Sequence, residues 1–451
     1  MLARTVPRNT RATLVSLGLL CLLAVSPARA QQNETDAVIR FFQWKVSQDP
    51  EDSFNYDKLG VAYIQKSRET GDITYYDLAG KALEKSLALE STHEEAAPAT
   101  KHLATVYFAE HRFADALALA QKALDLNPAD HTPYALIGDA RCEMGEYEKA
   151  WAAYSQLADP KAPQSETSGL QYLLENRESN HAFLTGDTKA AISHMQRAVA
   201  ISIEARMPKE NIAWSQFTLG EDYFLAGDLT HAKDAYESSL KTYPNYHRGL
   251  SGLGKVAAAE GKFPAAIESY KKAVAVIPLP GYVAELGDVY AKSGNAAEAK
   301  KQYDLVEYIG RLNAFNQTVY NRELAVFYAD HDIHLRESLE LARKEFDVRH
   351  DVYTWDALAW ALQKNAQPHE AATAMKQALL LGTNDALLYF HAAMIYESLS
   401  EHESARDYLQ RALALNPQFH LLYADAAQST LQKLSKDSAA AKSRGTANAR
   451  P

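Results

Sequence analysis

The chain has 451 residues, 47% hydrophobic and 23% charged, with 20 Gly, 16 Pro and a formal net charge of −10. That composition excludes a disordered chain, and the length exceeds what one globular core serves, which leaves several domains or an elongated array. The acidic balance argues against nucleic acid and anionic lipid as partners, and two cysteines, Cys21 and Cys142, cannot make a disulfide framework.

Residues 1–30 read as a secretory signal peptide. Arg4, Arg8 and Arg11 form a basic start without an acid, and Ala12 to Val25 is an apolar run short for a membrane anchor. Ala28-Arg29-Ala30 then supplies small residues where a signal peptidase reads, so cleavage before Gln31 is expected, an uncleaved anchor being the alternative. Leu20 before Cys21 does not suit a lipoprotein signal, and the adjacent arginines of the twin-arginine route are absent. Loss of this leader removes four arginines, shifts the net charge to about −14 and leaves Cys142 as the single thiol. The expected product is a periplasmic or extracellular protein, held by packing and without stable membrane insertion. In a eukaryotic source, Asn33-Glu34-Thr35 would be a glycosylation acceptor.

Segment 31–52 is expected to hold a capping helix, opened by Asp36 and running to about Ser47. From residue 53 the chain repeats itself. Leu219-Gly220 overlies Leu253-Gly254 at an offset of 34, and Gly227/Gly261, Ala232/Ala266, Tyr236/Tyr270 and Pro244/Pro278 coincide. Leu286-Gly287, Gly294, Ala299 and Tyr303 follow at an offset of 33. The frame also catches Leu103-Ala104, Ala116 and Pro128, then Ile137-Gly138, Gly145 and Tyr154, and near the C-terminus Leu358-Ala359, Ala371, Ala393, Ala405 and Pro417. Alanine, leucine and tyrosine dominate and β-branched runs are missing, as in a helical protein.

This pattern resembles the tetratricopeptide repeat. The resemblance implies an all-α, right-handed superhelical solenoid of antiparallel helix pairs, with small residues at repeat positions 8, 20 and 27 and Pro at 32. Small residues let paired helices approach closely, while Leu and Tyr fill the remaining volume. Ten repeats begin near Ser53, Ala97, His131, Tyr172, Ala213, His247, Pro280, Thr318, Val352 and Ala386. They fall into two blocks, 53–158 and 172–417, separated by a loop or hinge at 159–171. Ser67 to Ile73 reads as an insertion between the helices of the first repeat, Arg206 to Glu210 as a turn after a long helix, and Gly310 to Gln317 as an extended join. A capping helix is expected over 418–434 and a disordered tail over 435–451.

No motif of an enzyme stands out, so neither catalysis nor a cofactor is expected. Cys142 lies at a helical position and reads as a buried structural thiol, and Gly249, Gly252 and Gly254 fall inside a helix rather than in a phosphate loop. His331 and His334 are the best metal candidates, but without evident third and fourth ligands, which leaves a solvated turn as the plainer reading. Function is sought in the concave groove, which the resemblance lines with positions 2, 5, 9, 12 and 13. The candidates are Asn176, Asn180, Phe183, Trp214, Phe217, Glu221, Phe224, Arg248, Ser251, Lys255, Asp288 and Lys292, then Tyr353, Asp356, Trp360, Phe390, Met394 and Glu397. Asparagines can bond a bound backbone and aromatics supply contact area at little entropic cost. The aromatics at Trp214, Phe217 and Phe224 could equally be core. The clamp by which some family members grip chaperone C-termini is incomplete, since Asn176 and Gly252 stand where basic residues belong. The reading is an exported scaffold or adaptor holding a protein or peptide, with an accessory or carrier subunit for a small ligand or metal as the alternative.

Overall fold

A computed structural model describes residues 27–89, 93–158, 164–315 and 321–447. The described residues form 22 α-helices and one short 3-10 turn, with no strand. After a first helix, Pro27–Gln48, come ten antiparallel pairs, beginning with Ser53–Thr70 and Thr74–Leu89. The series continues through His93–Ala109 with Phe113–Leu126, Pro133–Glu143 with Tyr147–Tyr154, Gln164–Leu184 with Thr188–Glu204, and Lys209–Leu225 with Leu229–Thr242. It ends with His247–Ala259 and Phe263–Val276, Pro280–Lys292 and Ala296–Phe315, Asn321–Asp330 and Leu335–Phe346, Val352–Lys364 and Pro368–Ala378, and Ala386–Ser398 and His402–Leu415. A last helix, Ala424–Ala447, follows.

Each pair is built the same way. The residue at the turn is left-handed in every repeat: Gly71, Gly145, Gly186, Gly227, Gly261 and Gly294, and also His111, Asp332, Ala366 and Ser400. The αL geometry is required by the hairpin, so four repeats accept strain where glycine is absent. Within a pair, a glycine at position 8 faces a large side chain at position 24, a tyrosine in the third, fifth, sixth and seventh repeats and Leu83 in the first. A Cβ on Gly254 would lie 2.8 Å from the Tyr270 ring, and one on Gly60 would lie 2.6 Å from Leu83. Alanines 116, 150, 232, 266, 371 and 405 at position 20 are fully buried, which closes the helices onto each other.

The solenoid then winds onto itself. The turn of the third repeat meets the join between the eighth and ninth, where His350 N–H donates to Glu143 O at 2.8 Å. The fourth meets the next join, where Thr383 Oγ1 donates to Leu184 O at 2.8 Å and Asn384 Nδ2 to Gly186 O at 2.6 Å. The fifth meets the end of the tenth, where Asn416 Nδ2 donates to Phe224 O at 2.8 Å. Phe183, Leu184 and Ala191 accordingly share one core with Leu339, Val352, Met375 and Leu388. One superhelical turn therefore takes about five repeats, and successive turns are in contact.

Several expected boundaries differ. The first helix starts at Pro27, so Asp36 sits inside it and pairs with Lys66 at 2.5 Å instead of capping. The Ser67–Ile73 insertion lengthens the first repeat's leading helix to 18 residues, leaving the turn at Gly71. The proposed loop at 159–171 is helical from Gln164, and the join at Gly310 is helical through Phe315. The last helix begins at Ala424 and continues past Ser435 to Ala447, through residues assigned to a disordered tail, because their alanines and lysines favour helix. The leader falls on residues 1–26, outside those described, apart from its last four, which open the first helix. No described helix is long and apolar enough to cross a membrane.

Candidate functional site

The concave positions are arranged by a hydrogen-bonding rule that the sequence conceals. The position 24 tyrosine, packed on its glycine, aims its hydroxyl at position 9 of the same repeat. Tyr154 donates to Asp139 at 2.9 Å and Tyr303 to Asp288 at 2.9 Å, and Tyr236 donates to Glu221. Each acid also meets a base from the following repeat: Arg177 on Asp139 at 2.6 Å, Lys255 on Glu221 at 2.6 Å, His331 on Asp288 at 2.8 Å. The sixth repeat has Lys255 at position 9, and its Tyr270 bonds Glu285 of the seventh instead. Glu221, Lys255 and Asp288 are thus engaged with other residues of the wall. Burial, opposed by the Asp288 carboxylate, leaves His331 above the usual histidine range.

The aromatics divide. Phe224 is buried with Ala232, Tyr236 and Val256, and Phe217 packs half-buried on Tyr236. Phe183 is in the inter-turn core. Trp360 is 3% exposed, donates Nε1–H to Asp330 at 2.8 Å and stacks on His391, which is itself tied to Asp356 at 2.9 Å. Phe390 stacks on Tyr423. Tyr353 is half-buried and donates to Asp385 at 3.2 Å. Phe183 is covered by the next superhelical turn, and Trp360 and Phe390 by the C-terminal residues Phe419 and Tyr423, so these aromatics are core and wall. Met394 packs against the C-terminal core, Glu397 lies 3.6 Å from Lys433, and Lys292 pairs with Asp425. Asn180 is exposed and Ser251 buried.

Trp214, Asn176 and Arg248 come together. They line an open cleft of about 650 Å3 between the first repeat on one side and the fourth to seventh on the other. Ser67, Arg68 and Tyr76 face them from the first repeat, with Tyr172, Arg177, Glu210 and Tyr282 completing the walls. Arg68 pairs with Glu210 at 2.9 Å, and Tyr246 donates to the same carboxylate at 3.2 Å. Arg248 is exposed in the cleft, with no carboxylate at ion-pair distance among the described residues; Tyr246, Tyr282 and Glu210 act on it at longer range, and the Phe217 ring lies 6.0 Å away. Asn176 is 6% exposed. Its Nδ2 donates to Tyr172 O at 2.6 Å, and its Oδ1 has no hydrogen-bond partner. Burial, with Arg248 beside it, pushes His247 down to about 3, so this ring is neutral; its Nδ1 meets Tyr282 Oη at 2.8 Å. The arrangement offers aromatic walls, one uncompensated guanidinium and an amide able to pair with a bound backbone. Arg68, Tyr76, Arg177 and Tyr282 were not among the sequence candidates. The insertion at Ser67–Ile73 was the available signal for the first two.

The remaining candidates are settled by local contacts. His331 bonds through both nitrogens, Nδ1 to Phe327 O at 2.7 Å and Nε2 to Asp288. His334 sits 3.7 Å from Glu307, and no group of three His, Cys, Asp or Glu able to hold a metal occurs among the described residues. Cys142 is buried against Tyr154 at 3.5 Å, and burial pushes its thiol up to about 12, where it is unreactive.

Tetratricopeptide-repeat family models match residues 173–245, 217–281 and 386–419. The chain is 24% identical over 320 residues to anaphase-promoting complex subunit cut9 of Schizosaccharomyces pombe, a match covering 70% of this chain but only 40% of that protein. Among solved structures it is similar to a tetratricopeptide repeat protein from Parabacteroides merdae, at 16% identity and a TM-score of 0.34, covering 59% of this chain and 99% of that one. It is also similar to yeast Tom70, at 12% identity and a TM-score of 0.32, covering 85% and 96%. With its recurring glycine–tyrosine contact and left-handed turn, the chain carries tetratricopeptide repeats, matched over residues 173–281 and 386–419.

Proposed function

We propose that this protein is a non-catalytic scaffold that holds an extended segment of a protein partner in the cleft between its first repeat and its fourth to seventh. The carrying observation is Arg248, an exposed guanidinium without a carboxylate, beside Trp214 and the half-satisfied Asn176. Most other charges along the same wall are paired, so this one is available to an acidic side chain of the partner. The relative cut9 is named as a subunit of a larger complex, which supports an assembly role. The leader-like residues 1–30 support work in the periplasm or outside the cell, on a partner exported by the same route.

The test compares wild type with the Trp214→Ala/Arg248→Ala double variant in pull-downs from the native envelope fraction. A stoichiometric partner lost by the double variant, with the melting temperature nearly unmoved, supports the cleft. Equal recovery by both proteins would refute it.

A further inference from the structure

A second, smaller hollow of about 320 Å3 lies where the end of the solenoid covers its fifth to seventh repeats. Phe224, Tyr270, Val289, Phe419 and Leu421 give it apolar walls, and the segments 385–387 and 416–421 close one side. Its charges do not balance. Two basic side chains line it: Lys255 is committed to Glu221 at 2.6 Å, and burial holds His420 below the usual histidine range, whereas Glu285, Asp288 and Asp385 all border the space. Asp385 spends Oδ1 on the amides of Leu387 and Leu388 and Oδ2 on Tyr353. Asp288 is 8% exposed, takes both Tyr303 and His331 on Oδ1, and has no hydrogen bond on Oδ2 among the described residues. With Lys255 paired to Glu221 and His331 bonded to Asp288, Glu285 and Asp385 have no ion-pair partner among the described residues. Burial raises the Asp385 carboxyl and, against the nearby Lys255 ammonium, pushes Glu285 up to about 7.

We propose that this hollow binds a small organic cation, with its ammonium among Glu285, Asp288 and Asp385 and its apolar body against Phe224 and Phe419. The volume suits a ligand of about ten to fifteen non-hydrogen atoms. An anion would meet the carboxylates of Glu285, Asp288 and Asp385 that border the space. The site is separate from the partner cleft and does not depend on that reading.

Calorimetry on the full chain at pH 8 tests it with three probes: tryptamine, spermidine and indole-3-acetate. Saturable one-to-one binding of tryptamine is expected, with no heat from indole-3-acetate and weaker binding of spermidine, which has charge but no ring. Glu285→Gln, which keeps a hydrogen-bond acceptor for Tyr270, should weaken tryptamine at least tenfold, and Leu421→Trp should block it by filling the space. Trp214→Ala, in the other cleft, should leave tryptamine binding unchanged. The proposal is overturned by no tryptamine binding up to 1 mM, by equal binding of spermidine (a surface charge effect) or of indole-3-acetate, or by an unaltered affinity in Glu285→Gln. Should Leu421→Trp unfold, the near-isosteric Glu285→Gln still decides.

Discussion

Two seams join successive superhelical turns, and they are built differently. Along the seam of repeats three to five, glycine turns press on backbone: a Cβ on Gly145 would lie 2.8 Å from His350 O, and one on Gly227 2.6 Å from Leu415 O. The opposing joins carry donors, Thr383, Asn384 and Asn416, that reach the carbonyls beside those turns. At the first repeat the opposing join is Ile277-Pro278-Leu279-Pro280-Gly281, with no side-chain donor and two prolines lacking N–H. Gly71 there faces the side chains of Ile277 and His247, and Arg68 reaches across to Glu210. The first seam closes because side-chain donors and the His350 amide reach the backbone carbonyls beside the turns; the second stays open, and the open one carries the cleft. The same repeat thus yields either a structural contact or a binding surface, according to what the residues five repeats away can donate.

The sharpest way to break the closed seam is Gly227→Val, which puts a β-branched residue at φ 79° and its Cβ against Leu415 O. A loss of about 3–4 kcal/mol is expected in urea unfolding, with a second, earlier transition from the separated turns. Next comes Arg349→Ala. Arg349 is 6% exposed, forms an ion pair with Glu143 at 2.7 Å, lies 3.4 Å from Glu345, which is 1% exposed, and covers the Phe113 ring. Removing it takes a buried guanidinium from between two carboxylates at the joint between turns, so a loss of about 3 kcal/mol is expected.

Asp222→Asn should act oppositely and with pH. Burial raises the Asp222 carboxyl to about 7, above its ordinary 3.8, with Ser179 at 3.3 Å as its hydrogen-bond partner. A folded value above the unfolded one means that stability is lost as pH rises from about 4 to about 7 and is level beyond. The variant should therefore melt several degrees higher than wild type at pH 8 and nearly level with it at pH 4, read by thermal unfolding across that range. The smallest effect is expected at the open seam, where Arg248→Ala has no ion pair to break. Its unfolding free energy should move by less than about 0.5 kcal/mol. A large loss would mean that this guanidinium holds the turns together, and the contrast between the seams would fall.

Much of the fold was legible along the chain, since glycine or alanine at position 8, alanine at 20 and a tyrosine at 24 are local demands of one helix pair. The N-terminal half of the site was harder to read. Trp214, Asn176 and Arg248 sit on regular concave positions and could be named, but their partners Arg68 and Tyr76 lie more than a hundred residues earlier, in an irregular repeat. Phe224, Trp360 and Phe390 were indistinguishable from groove aromatics because exposure on a concave face depends on what covers it, which for Trp360 and Phe390 is the C-terminal segment with Phe419 and Tyr423. Glu221 and Asp288 looked like free acids because the tyrosine that binds each is fifteen residues downstream.

What the amino-acid order determined by itself is the repeating pair, because its rules act between residues no more than about one repeat apart and recur ten times. What only the tertiary structure decided is which concave residues meet solvent. That depends on superhelical pitch, which accumulates over about five repeats and brings together residues some two hundred positions apart, such as Phe224 and Asn416.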